Sequence, residues 1–384
     1  MNVLVDLTFW KYNRAGGVQT VLCSYLRELE YLQSEYDIKF SLLVYQNEYD
    51  VLKSRHSGFY LCNLGRRLPF ILREGYEFLF LRRKINVKTS DCILSFNYFS
   101  YLGLSSNKPL LIMLHDLNHI DIPSTFGRLK VLVRGLLVYL CSRKAVSILT
   151  VSEFSAERIR AYYGLNGVHV LYNSLNSDLL LDRQEVDKNK IKELSERNYL
   201  LFVGSSHPHK NANLLIDFLT TDLGSEYELI IVGQKKKAYD SLIQYALQKN
   251  VGPRVIFTGY VDLADLAAYY QSAYAFVFPS RYEGFGIPPL EAMSFGCPCL
   301  CSNAASIPEV CGDAALYFDP DSLSSLTAQV TKLRDNQFLR EDLKNRGYER
   351  VKVFSWEKSA RILCEILQKK YVEKNIASGT SKLI

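Results

Sequence analysis

Two glutamates with seven residues between them carry the strongest chemical signal in the sequence. They sit in the stretch Arg281-Tyr282-Glu283-Gly284-Phe285-Gly286-Ile287-Pro288-Pro289-Leu290-Glu291. Paired carboxylates beside a sugar are the usual equipment of general acid and base chemistry. The residues between these two suggest a different use. Pro288 and Pro289 fit only the first turn of a helix, and Gly296 suits the position just past its end. The unpaired amides and positive dipole end of that helix therefore face the Glu283–Gly286 loop, where they suit an anion or a hydroxyl. Two carboxylates flanking a phosphate would repel it, whereas they readily accept hydrogen bonds from hydroxyls. A ligand that carries both phosphate and many hydroxyls is a nucleotide sugar.

The elements that must position these residues are legible on either side. Tyr274-Ala275-Phe276-Val277-Phe278 is an apolar run ending at Pro279, which predicts a buried strand, then the loop, then the helix. Earlier, the strand-like Tyr199–Val203 and Gly204 lead to Ser205-Ser206-His207-Pro208-His209-Lys210-Asn211 and a helical pattern. A lysine at a helix start, beside free amides, holds a diphosphate better than amides alone. Leu110–Leu114 is another buried strand, ending in His115-Asp116, at the end of the strand where doubly wound sheets place ligand groups. Asp116 either orients the imidazole or caps the next loop. At the N-terminus Val3–Leu7 reads as a strand, followed by Arg14-Ala15-Gly16-Gly17 and an amphipathic helix with Val18, Val21, Leu22, Tyr25, Leu26 and Leu29 on one face. The chain contains neither a complete Gly-x-Gly-x-x-Gly dinucleotide fingerprint nor a Walker loop.

With these motifs in place, the sequence resembles the retaining glycosyltransferases of family 4, the group 1 glycosyltransferases, and its wording is similar to their mannosyltransferase-like branch in bacterial surface-polysaccharide synthesis. The specific part of the resemblance runs from 199 to 318. It implies an α/β GT-B fold: two Rossmann-like doubly wound parallel-sheet domains facing across a cleft, over 1–180 and 181–355, with a final helix and tail over 356–384 crossing back to the first. By the same resemblance Glu283 meets the donor sugar, the backbone of Gly284, Phe285, Gly286 and Ile287 and the helix start at Leu290 hold sugar and phosphate, and Glu291 takes the ribose hydroxyls. Lys210 stabilises the leaving diphosphate, His115 faces the transferred sugar, and Gly16 and Gly17 lie opposite the phosphates. Gly259, Tyr260 and Val261 stand where the family holds the base. The family commonly has a second cation near the lysine; here Ser205 and His209 occupy the two positions where it is found, so His209 is a titratable candidate for that role. The expected reaction needs no cofactor and no metal. A hexose, with mannose from GDP-mannose as first choice and UDP-sugars next, passes to a glycan or lipid-linked acceptor in O-antigen, capsule or other surface-glycan synthesis. A nucleotide-sugar epimerase of the same fold, a sucrose- or glycogen-type synthase with a soluble acceptor and a non-catalytic glycan-binding protein are the alternatives.

Composition agrees with a folded two-domain chain: 384 residues exceed what one core usually supports, and 48% are hydrophobic. No run of about eighteen apolar residues is present, and Met1 leads directly into a strand pattern, so neither a membrane span nor a signal peptide is expected. Nine scattered cysteines fit a reducing cytoplasm. Cys297, Cys299 and Cys301 alternate as strand residues do and are expected to pack as core rather than bind metal. The net charge of +6 is uneven: residues 51–150 hold fifteen Lys and Arg against five Asp and Glu. No aromatic-interleaved nucleic-acid motif accompanies that excess, which points to peripheral contact with an anionic membrane on its cytoplasmic face. The basic and apolar segment 66–84, with Arg82, Arg83 and Lys84, suits that contact or a plain solvated helix, and Phe126–Lys144 is expected to be mainly core packing.

Overall fold

A computed structural model describes residues 1–11, 17–67, 89–123, 127–176, 178–179, 186–233 and 237–377. The chain divides into two compact units, one of Met1–Ile120, Gly127–Asn173 and Trp356–Ile384, the other of Asp121–Phe126 and Ser174–Ser355.

The first unit is built on a seven-stranded sheet in the order β3-β2-β1-β4-β5-β6-β7. Its strands are β1 Asn2–Asp6, β2 Lys39–Val44, β3 Tyr60–Asn63, β4 Cys92–Ser95, β5 Leu110–Met113, β6 Ala145–Thr150 and β7 Val168–Val170. Every described pairing is parallel. Parallel strands are covered on both faces by their crossover helices, so consecutive residues must all be apolar. That is why Val3, Leu4 and Val5 are each almost fully buried, and why Leu110–Met113 has no solvent face. The apolar face of the helix Gly17–Glu35 accounts for its packing, with Val21, Leu22, Tyr25, Leu26 and Leu29 all buried. The last helix, Trp356–Ala377, belongs to this unit. Trp356 meets the ring of Tyr25 edge-on at 5.5 Å, and Gln368 donates to the Tyr36 carbonyl at 2.8 Å.

The second unit repeats the plan with six parallel strands, in the order β10-β9-β8-β11-β12-β13. These are β8 Tyr199–Val203, β9 Glu228–Val232, β10 Val255–Gly259, β11 Ala275–Phe278, β12 Cys299–Ser302 and β13 Ala315–Phe318. Leu200, Phe202, Leu229, Ile231, Val277 and Leu300 pack in one core cluster. Cys299, Cys301 and Cys311 are fully buried free thiols, with the last two sulfurs 3.9 Å apart, and burial pushes the Cys297 thiol up to about 12. They pack as small core residues.

Local chemistry sets several element ends. Ser152 accepts from the Ser155 amide and opens the helix Glu153–Tyr163, which Gly164 closes at φ 63°. Asp262 caps Leu263–Ser272 by accepting from the Asp265 amide. Asp265 forms an ion pair with Lys190. The expectation for Phe126–Lys144 needs correction. The helix Arg128–Lys144 buries Val138, Cys141 and Ser142 but leaves Leu129, Leu132, Val133, Leu136, Tyr139 and Leu140 exposed. Its sequence is apolar on both sides, and periodicity cannot say which side meets the sheet. In the segment 66–84, Arg67 lies over the Tyr45 ring and pairs with Glu48 at 3.2 Å, and residues 68–84 lie outside the described residues.

Candidate active site

Each sheet reverses its strand order once, and such a switch point opens a crevice at the carboxyl ends of the strands. In the second sheet the reversal lies between β8 and β11. The loops that leave these two strands carry Lys210 and Glu283, 73 positions apart in sequence. Lys210 Nζ lies 2.6 Å from Glu283 Oε1 and 2.8 Å from Oε2, and it sits over the Phe278 ring at 5.8 Å from the centroid. Both side chains are largely enclosed, at 18% and 12% exposure, so the pair is shielded from bulk water. Lys210 ends a short 3-10 turn, Pro208–Lys210, two residues before the helix Ala212–Phe218. That turn is tied to the other loop by the Arg281 amide, which donates to the His209 carbonyl at 2.8 Å. Asn211, left-handed at φ 58°, fastens its far side by donating to the Pro320 carbonyl at 2.7 Å.

His209 is held in its neutral form. Burial, and after it the adjacent Lys210 charge, press its imidazole down to about 4, so the ring is neutral at physiological pH. It stacks against His207 with centroids 5.7 Å apart, and its Nδ1 is enclosed without a hydrogen-bond partner.

The glutamate loop turns through Gly286, at φ 100°, into the helix Ile287–Ser294. A side chain is disfavoured at that φ, which explains the glycine. Because Pro288 and Pro289 lack N–H groups, the unpaired donors expected at this helix end reduce to the amides of Gly286 and Ile287. Ser306 Oγ lies 2.9 Å from the carbonyl oxygens of both Glu283 and Phe285, drawing those acceptors inward. Phe285 is anchored edge-on against Phe354 at 5.4 Å, and Leu290 is fully buried. Past the helix, Gly296 is left-handed at φ 70°.

Glu291 projects from the same helix toward Tyr270, whose hydroxyl donates to Oε2 at 2.9 Å. Tyr270 is fully buried between Phe276 and Phe295, with centroids 5.7 and 5.9 Å away. Burial raises the Glu291 carboxyl from 4.5 to about 7, and the Tyr270 hydrogen bond only partly opposes it.

Three neighbouring strands end in glycine on the β8 side. The Gly204 amide donates to the Val232 carbonyl at 2.9 Å, and the Gly233 amide to the Gly259 carbonyl at 3.0 Å. A Cβ on Gly233 would fall 2.0 Å from the Gly204 oxygen, so backbone packs directly on backbone here. Gly259 is left-handed at φ 80° and is followed by Tyr260, 68% exposed, and the partly buried Val261.

In the first unit, His115 follows β5, and its Nε2 lies 3.3 Å from the Phe96 carbonyl. Burial lowers its pKa, so the neutral ring donates from Nε2. Asp116 accepts from the Asn118 amide at 3.0 Å, which closes the loop after His115. Gly17 begins the helix Gly17–Glu35, and Gly16 lies outside the described residues. Among the described residues no group of three or more His, Cys, Asp or Glu is arranged to hold a metal ion.

The structure thus brings Lys210, Glu283, His209 and the Gly284–Ile287 loop together on one switch point. Ser306 and Tyr270 were not among the residues singled out by sequence. Ser306 immediately precedes the short helix Ile307–Cys311, whereas Tyr270 looks like any aromatic on an apolar helix face.

Comparison with known proteins identifies the family. The model for glycosyl transferases group 1 matches residues 183–350. The O-antigen chain mannosyltransferase B of Escherichia coli is 30% identical over 348 residues, covering 86% of this chain and 88% of its own. This chain is a group 1 glycosyltransferase. The O-antigen chain mannosyltransferase RfbU of Salmonella typhimurium is 32% identical over 58% of this chain and 60% of its own length. Among solved structures, sucrose-phosphate synthase from Thermosynechococcus elongatus has a TM-score of 0.78 over 97% of this chain and 99% of its own, at 17% identity. That likeness extends the two-unit GT-B architecture to nearly the whole glycosyltransferase.

Proposed function

We propose that this glycosyltransferase transfers mannose from GDP-mannose, with retention of anomeric configuration, to a lipid-linked or polysaccharide acceptor during O-antigen-type surface-glycan synthesis at the cytoplasmic face of a membrane. The observation that carries the donor side is the Lys210–Glu283 pair beside the Gly286 helix start, at the switch point of the second sheet. The names of the two O-antigen mannosyltransferases support the choice of sugar.

In this reading Lys210 meets the charge that grows on the leaving diphosphate, and the Gly286 and Ile287 amides add fixed donors. Glu283 holds both the lysine and a sugar hydroxyl. Glu291 accepts from the ribose hydroxyls. The anomeric carbon loses its bond to the phosphate oxygen, which keeps the electron pair. The acceptor oxygen bonds to that carbon on the same face, and its proton passes to the departing phosphate. His209, being neutral, contributes a ring hydrogen bond rather than a second charge. Tyr260 offers a face to the base. No step of this reading calls for a metal, so turnover is expected to persist in excess EDTA.

A panel of nucleotide sugars tests this before the acceptor is known. GDP-mannose is expected to give both slow donor hydrolysis and thermal protection, each lost in Lys210→Ala. Preference for a UDP-hexose would replace the donor, and protection without any nucleotide release would favour a glycan-binding protein.

A further inference from the structure

The helix Arg128–Lys144 presents an apolar stripe to solvent that the donor chemistry leaves unused. Leu129, Leu132 and Leu136 are 75%, 70% and 57% exposed, and Val133, Tyr139 and Leu140 are also exposed. At 3.6 residues per turn these six side chains fall within an arc of about 120°, roughly 17 Å long. Val138, Cys141 and Ser142 lie on the opposite side and are buried, so the helix is anchored to its unit through its other face. A contiguous exposed stripe of this size marks an interaction surface.

The charges select the partner. The helix carries Arg128, Lys130, Arg134, Arg143 and Lys144 and contains no Asp or Glu. Arg134 lies over the Tyr98 ring and Lys144 donates to the Leu104 and Ser106 carbonyls, which fix the anchored side. Arg128 and Arg143 remain exposed at the two ends of the stripe. Leucines between exposed arginines, with a tyrosine at the rim, match a helix lying in the interface plane, apolar side chains below the headgroups and cations level with them. Two copies packed antiparallel through this stripe would bring Arg128 of one against Arg143 of the other, with no acid on either helix to offset them. A neutral apolar partner would leave the arginines unmatched.

We propose that the exposed face of Arg128–Lys144 docks this enzyme on an anionic lipid bilayer. Among the described residues no helix is long and apolar enough to cross one. The inference gives the membrane-side part of the proposed function a defined surface and rests on none of the donor-site residues.

The test is flotation of the full chain with phosphatidylglycerol-containing and pure phosphatidylcholine vesicles, without nucleotide. Wild type is expected to float with the anionic vesicles and to bind the neutral ones at least about tenfold more weakly. Leu132→Ser with Leu136→Ser should weaken anionic-vesicle binding about 30-fold. Arg128→Glu with Arg143→Glu should remove the preference for anionic lipid. These side chains are exposed, so unchanged circular dichroism and thermal midpoint will show that each variant is folded. Wild-type binding by the serine variant would overturn the proposal. So would loss of binding on reversing Arg82, Arg83 and Lys84 while the serine variant binds normally. Light scattering supplies the third refutation: a dimer that the serine variant dissolves, with no vesicle binding by wild type. Because nucleotide is absent throughout, failure here leaves the donor assignment standing, and failure of the donor panel leaves this one standing.

Discussion

Replacing Glu291 with glutamine should stabilise the protein above neutral pH while weakening donor binding. The folded environment raises this carboxyl from 4.5 to about 7 because burial disfavours its charge more than the Tyr270 hydroxyl favours it. The folded chain therefore holds the proton more tightly than the unfolded chain. The stabilisation this provides is complete below about 4.5 and lost as pH rises through about 7. A displacement of that size corresponds to about 3 kcal/mol at pH 8. Glutamine keeps an oxygen that accepts from Tyr270 and has no charge to desolvate. Glu291→Gln should thus match wild type near pH 4.5 and exceed it by about 2–3 kcal/mol at pH 8, or roughly 6 °C in midpoint. Denaturation across that pH range is the assay, read beside calorimetric binding of GDP, which should weaken about tenfold or more because ribose hydroxyls lose a charged acceptor. If the glutamine variant is equally destabilised at both pH values, the carboxylate is not strained by burial and the argument fails.

Further consequences are open to measurement. If the bound donor requires ionised Glu291, its affinity should fall about tenfold between pH 8 and pH 6, and Glu291→Gln should flatten that profile. Lys210→Ala should lower kcat about 100-fold or more with a smaller change in KM, as expected for a group that acts mainly on the leaving diphosphate; turnover within a few fold of wild type would remove Lys210 from the chemistry. Tyr270→Phe should move the pH midpoint of donor binding upward, since the hydrogen bond that favours the charged carboxylate is gone, and an unchanged midpoint would make Tyr270 a packing residue only. Gly233→Ala places a methyl 2.0 Å from the Gly204 oxygen and should cost about 3 kcal/mol or more, readable as a lowered denaturation midpoint.

Much of the fold and the donor site was legible because it depends on local rules. Parallel strands must be apolar throughout, so β5, β8, β9 and β11 stand out as uninterrupted runs. Gly286, the proline pair and Gly296 mark a helix start and stop by backbone chemistry alone, and the helix Ile287–Ser294 ends where they say.

What the sequence determined by itself, then, was element type, the glutamate-flanked helix start and the lysine turn, since each is fixed by residues within a few positions of one another. Tertiary structure decided everything that depends on which distant surfaces meet. Lys210 and Glu283 become an enclosed ion pair because β8 and β11 are neighbours across a switch point, a fact of strand order. His209 is neutral and Glu291 strained because burial sets the cost of charge, and burial belongs to the packed fold. The helix Arg128–Lys144 is apolar on two sides, and the sheet could cover one of them. Only packing reveals that the side with Leu129, Leu132 and Leu136 is the one left facing solvent.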